Sequence, residues 1–309
     1  MRLENAKDIR GVWVALVTPW DEERAEPRRE TLRNLLMRFV SAGVNGLFVL
    51  GTTGEGFLFS AEERKVILEA ILEEVDGQLP VIVHVGHEST KVAVDLAKHA
   101  QKVGVRAVSL TSPSRYRLDW QELVNHFVTV AEAAPDLFVL LYDMPLAGCN
   151  AIGAALLAQV HERAPNIVGA KVSCSDWLVW EEYLRLAGSL VILAGNDLMC
   201  FPLILLGAAG IVSGPANVFP EFYVELFRRI REKDVEGALR CQSFVNRLCQ
   251  VLHYGRPVAY IKEALRELGW EVGEVRRPLR SLSLEEREQL GVALAELARA
   301  WESELAERR

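Results

Sequence analysis

Short apolar runs rich in β-branched residues alternate with longer amphipathic stretches from residue 11 to about residue 231. Runs that are apolar throughout read as strands buried on both faces. Stretches with apolar positions three and four apart read as helices with one buried stripe. The strands are predicted at 12–17, 46–50, 80–85, 107–110, 137–142, 167–171, 191–194 and 210–213. Each is followed by a helical pattern, at 29–42, 61–75, 90–103, 120–133, 152–164, 176–187, 198–207 and 220–231. Eight successive βα units predict a closed (β/α)8 TIM barrel. An open doubly wound sheet would place a Gly-rich phosphate loop after its first strand, where this chain has VTPW. Three more helical patterns, at 235–252, 257–268 and 284–304, predict a C-terminal helical extension. The expected division is therefore a barrel over residues 1–232 and an extension over 233–309.

Composition narrows the function classes. The 309 residues suit a single α/β barrel, half of them are hydrophobic, and the net charge is −7. No basic stripe is present to hold a nucleic acid, the N-terminal stretch MRLENAKDIRG has no apolar signal core, and no later apolar run is long enough to span a membrane. The cytoplasm is the expected location. Five cysteines (Cys149, Cys174, Cys200, Cys241 and Cys249) without CxxC pairing argue against a disulfide framework or a thiolate zinc site, and are expected to be buried thiols. His84 and His87 lack metal-site spacing and read as structural. The charge run ESELAERR reads as a solvated helix end.

In a barrel of this kind the reacting groups stand at the carboxyl ends of the strands. The sixth predicted strand ends in VGAKVS, which places Lys171 at the close of a buried run. Burial disfavours an ammonium, and a neutral amine is a nucleophile toward a carbonyl. The alternative is a lysine just past the strand end that snorkels to water. The second strand runs into GTTGEG, where Gly51, Thr52 and Thr53 form either an anion-binding turn of N–H and hydroxyl donors or an ordinary βα connection. The fifth strand ends in YDMP; Tyr142 there is either a proton relay in the barrel mouth or a core tyrosine with its hydroxyl at the rim. Strands seven and eight end in AGND and GIVSGPANVFP, whose small residues leave room for a ligand.

GTTGE, Y-x-x-P, the strand-six lysine in GAK and G-x-x-S-x-x-A-N-x-x-P, in this order and spacing, resemble the dihydrodipicolinate synthase and N-acetylneuraminate lyase family of class I aldolases over nearly the whole chain. The resemblance implies a homotetramer, a dimer of dimers, that binds pyruvate or another 2-oxo acid as an imine and needs neither cofactor nor metal. Carried over by position, it implies that Lys171 forms the imine and Tyr142 relays the proton. Thr52 and Thr53 would anchor the carboxylate within the turn that Gly51 opens, and Ile211 or Val212 would pack on the substrate's methyl end.

Three departures bear on substrate. The arginine that usually follows Y-N-x-P is missing from the stretch 146–149, and Asp143 replaces the usual asparagine. After strand four, where the family lends a tyrosine across a dimer interface, the chain reads Ser112-Pro113-Ser114-Arg115-Tyr116-Arg117, with Arg115 in that tyrosine's place and Tyr116 one residue on. Either the proton relay is shortened or Tyr116 serves it, and Arg115 and Arg117 either meet an acidic substrate tail or face solvent. The expected function is reversible aldol cleavage of a 2-keto-3-deoxy acid into pyruvate and an aldehyde. A 4-hydroxy-tetrahydrodipicolinate synthase and a 2-keto-3-deoxy acid dehydratase use the same imine. A barrel that binds 2-oxo acids without turnover is the reading from another class.

Overall fold

The computed structural model describes residues 3–145, 150–253 and 257–306. Eight parallel strands close into a barrel: β1 (Gly11–Ala15), β2 (Gly46–Val49), β3 (Val81–His84), β4 (Ala107–Thr111), β5 (Phe138–Asp143), β6 (Ile167–Val172), β7 (Val191–Ala194) and β8 (Gly210–Ser213). Each strand pairs with the next in sequence, and β8 closes onto β1 with Val12 opposite Ile211. The outer layer is α1 (Arg29–Ala42), α2 (Ala61–Val75), α3 (Thr90–Lys102), α4 (Trp120–Glu132), α5 (Gly153–Arg163), α6 (Trp177–Leu184), α7 (Cys200–Leu205) and α8 (Pro220–Arg231). Beyond it lie α9 (Val235–Val251), α10 (Pro257–Glu267) and α11 (Leu284–Ala306).

The expected elements are present, with shifts at their ends. β1 stops at Ala15, short of residue 17, because the chain turns out into a small antiparallel ribbon, Trp20–Asp21 with Glu26–Pro27, that periodicity did not reveal. Two residues per strand are too few to carry an alternation signal. α6 and α7 are shorter than their apolar patterns. α2 and α4 start where Ser60 with Glu63, and Asp119 with Glu122, form reciprocal caps on otherwise unpaired backbone N–H groups.

Side-chain alternation divides the barrel core in two. Trp13, Phe48, Ile82, Leu140, Leu193 and Val212 fill the interior, while Val12, Leu47, Val83, Leu141, Val172 and Ile211 pack outward against the helices. Cys174, Cys200, Cys241 and Cys249 are buried, and Cys149 falls outside the described residues. Among the described residues no helix is long and apolar enough to cross a membrane.

Candidate active site

A cavity of about 610 Å³ opens at the carboxyl ends of the strands. Its wall includes Ala15, Thr52, Thr53, Tyr142, Met144 and Lys171 on one side, and Ser173, Asn196, Asp197, Val212 and Pro215 on the other. Helices α9 and α10 roof it with Cys249, Leu252 and Ile261.

Lys171 and Tyr142 are brought together by strand register. They are direct partners across β5 and β6, so both side chains point into the barrel. Lys171 is 5% exposed, and its Nζ lies 3.9 Å from the centre of the Tyr142 ring and 4.5 Å from that of Phe48. Two aromatic faces thus take the place of a carboxylate. Among the described residues Lys171 makes no ion pair. Burial alone would raise the pKa of the Tyr142 phenol. The Lys171 charge, with hydrogen bonding to Lys171, Thr52 and Ser173, outweighs burial and holds it below its ordinary value. His84 packs edge-on to Tyr142 with ring centres 5.9 Å apart, and its Nδ1 meets Ser109 Oγ at 3.3 Å. Burial, then the Arg64 and Lys171 charges, push this imidazole well below its usual pKa, so it stands neutral beneath the site. His87 lies outside the cavity wall, where its Nδ1 accepts the Ser89 N–H.

The GTTGE turn is tight. Gly56 N–H donates to Gly51 O at 3.0 Å, and a Cβ on Gly56 would stand 1.8 Å from Leu50 O, so only glycine allows this closure. Gly51 itself is buried behind the wall, while Thr52 and Thr53 line it. The Thr52 hydroxyl points across to Met144 Sδ at 3.6 Å. At β8, Val212 lines the cavity. Ile211, the alternate candidate for that role, faces the helical layer, because adjacent strand residues take opposite faces.

Asp143 does not put its charge in the site. One residue past the inward Tyr142, its carboxylate points outward, where it accepts the N–H groups of Ile152 and Gly153 and the Tyr183 hydroxyl at 2.7 Å. It sits at the start of α5, where negative charge is favoured. The stretch 146–149, which lacks the expected arginine, lies outside the described residues. Arg115, Tyr116 and Arg117 are exposed and absent from the wall; Tyr116 is 73% exposed. Their loop is pinned by the Glu88 carboxylate, which accepts the N–H groups of Ser114 and Arg115 and the Ser114 hydroxyl.

Asp197 and Ser173 line the cavity without having been singled out from the sequence, and so does Gly195, which the sequence offered only as one of the small residues of AGND. Asp197 follows β7 and accepts hydrogen bonds from Ser213 Oγ and from Tyr223 Oη at 2.7 Å. Burial raises its carboxyl pKa, opposed by those hydroxyls and by the Lys171 charge. A Cβ on Gly195 would meet Ser173 Oγ at 2.0 Å and Lys171 Cε at 3.0 Å, so this glycine clears the path of the lysine. Asn217, in the A-N-x-x-P motif, is structural: its side chain donates to Ala15 O and Gly214 O and accepts from Val17 N–H, tying β8 to β1.

Known proteins resemble this chain in sequence and in fold. The model of the dihydrodipicolinate synthetase family matches residues 8–297. An uncharacterized DapA-like lyase of Halobacterium salinarum is 36% identical over 94% of both chains. A 4-hydroxy-tetrahydrodipicolinate synthase of Methanopyrus kandleri is 31% identical over 94% of this chain and 96% of its own. The crystal structure of YagE from Escherichia coli K12, a prophage protein in complex with pyruvate, superposes with a TM-score of 0.89 at 26% identity, covering 94% of this chain and 99% of that one. The chain belongs to the dihydrodipicolinate synthetase family.

Proposed function

We propose that this lyase cleaves 2-keto-3-deoxy acids reversibly into pyruvate and an aldehyde through an imine on Lys171. Placement of Lys171 Nζ 3.9 Å from the Tyr142 ring in a 610 Å³ cavity carries the reading. The Lys171 amine adds to the C2 carbonyl, and Tyr142 donates the proton with which the carbinolamine loses water. The protonated imine then accepts the electron pair of the breaking C3–C4 bond while the C4 hydroxyl gives its proton to the Tyr142 phenolate left by the loss of water, and aldehyde leaves. Protonation of the enamine at C3 and hydrolysis return pyruvate and the free lysine. Thr52 and Thr53 hold the substrate carboxylate, and Val212 packs beside C3, the carbon that becomes the methyl group of pyruvate.

The choice of a lyase over a lysine-pathway synthase rests on the missing arginine after Pro145. A dehydratase using the same imine is the second reading, favoured by Asp197, a carboxylate residue in the cavity wall. The chain acts as a homotetramer in this reading. Exposed Phe57 and Tyr116, which follow β2 and β4, offer the apolar surface that a second copy would cover.

Incubation with pyruvate, reduction with borohydride and intact-mass measurement test the imine. The expected mass gain is lost in Lys171→Ala, and no gain at high pyruvate would defeat the reading. Pyruvate release from a panel of 2-keto-3-deoxy acids, run beside condensation with aspartate semialdehyde, separates lyase from synthase. Activity in the second assay alone makes the chain a synthase.

A further inference from the structure

We propose that Glu55 and Lys262 form a buried strut through which the C-terminal extension holds the turn carrying Thr52 and Thr53 in its ligand-binding shape. Both are positioning residues, and the inference rests on the imine reading above.

The turn is strained at both ends. Leu50 and Glu55, neither of them glycine, have φ of 58° and 56°. Residues other than glycine rarely adopt this backbone region, and such a backbone persists only where its surroundings hold it. From the barrel side, Thr18 Oγ1 donates to Gly54 O at 2.7 Å. From the other side the holding groups come from the extension. The Glu55 side chain is fully buried; its Oε1 lies 2.5 Å from Lys262 Nζ, and its Oε2 accepts the Arg276 N–H at 2.6 Å. Lys262, on α10, also donates to Glu274 O at 2.9 Å. Its neighbour Ile261 lines the cavity beside Thr53. The helix therefore reaches the turn both through the ion pair and through the cavity wall.

A buried ion pair contributes little net stability, since desolvating both charges offsets most of their attraction. What the pair supplies is a fixed direction and distance. The turn it fixes is the one whose hydroxyls and N–H groups must meet a carboxylate to within a fraction of an ångström.

The test uses the full chain with Lys262→Met, Glu55→Gln and the two combined. Each is titrated with pyruvate under borohydride, with adduct read by intact mass, and amide hydrogen exchange is followed over residues 51–56. The half-saturating pyruvate concentration should rise about tenfold in the double variant, equivalent to about 1.4 kcal/mol of binding. Adduct at saturation should stay complete, and residues 51–56 should exchange about tenfold faster. A role confined to stability would lower the melting temperature and leave half-saturation where the wild type has it, which overturns the proposal. If the single variants fail to fold, the double variant decides, because it buries no uncompensated charge. A wild type that forms no adduct defeats the imine reading alone; hydrogen exchange then decides the strut, and unchanged protection over 51–56 in the double variant overturns it.

Discussion

Tyr142 and Lys171 are register partners on adjacent strands, with the lysine Nζ 3.9 Å from the centre of the phenol ring. Neither side chain needs a loop to bring it there, so the pair is as rigid as the barrel. Rigid strands keep reacting groups within the tolerance that proximity catalysis requires.

If Tyr142 moves the proton, Tyr142→Phe lowers kcat about 10²-fold or more and still permits the borohydride-trapped pyruvate adduct on Lys171, formed more slowly. Steady-state turnover and adduct mass are the readouts. Turnover at the wild-type rate would remove Tyr142 from the mechanism.

Gly195→Ala places a methyl group 3.0 Å from Lys171 Cε and 2.0 Å from Ser173 Oγ. Displacement of the lysine on the scale of an ångström should slow imine formation by about 10²-fold. Stopped-flow trapping of the adduct measures it, and an unchanged rate would mean that Ser173 alone yields.

Because Asp143 faces away from the cavity, its removal should be felt in stability. Asp143→Ala leaves the Tyr183 hydroxyl and two N–H groups at the start of α5 without their acceptor. Urea unfolding should show a loss of about 1–3 kcal/mol. Asp143→Asn keeps one acceptor oxygen and should recover most of it. A changed specificity for the 2-oxo acid would contradict the outward placement.

His126 gives the pH dependence a sign. Burial, partly opposed by the Glu88 charge, lowers its pKa from 6.5 to about 4. The unfolded chain therefore binds a proton in the window between those values that the folded chain refuses. Stability from the neutral imidazole is complete above about 6.5 and is lost as pH falls toward 4. A shift of this size is worth on the order of 3 kcal/mol. Urea titrations at pH 7 and 4.5 should show a smaller difference for His126→Gln than for the wild type, and equal differences would refute the assignment.

Asp143 shows where one-dimensional reading stopped short. Asparagine is usual at that position, and from the sequence a carboxylate beside Tyr142 either adds charge to the site, points away or pairs with a cation. Strand alternation sends it to the opposite face once Tyr142 points inward. The same alternation separates Val212 from Ile211. Both outcomes were implicit in period two, but the sign of the alternation needs one residue whose face is known.

Eight βα units, the lysine at the end of the sixth strand and the tyrosine before it were legible along the chain, because a repeated period and strand-end positions are local properties. Asp197, Gly195 and the Glu55 to Lys262 contact were not. Asp197 acquires its meaning from Ser213 and Tyr223 on other elements, Gly195 from the lysine that must pass it, and Glu55 from a helix more than two hundred residues away. These are facts of packing, which arise when distant segments close on one another and leave no signature in the spacing of either.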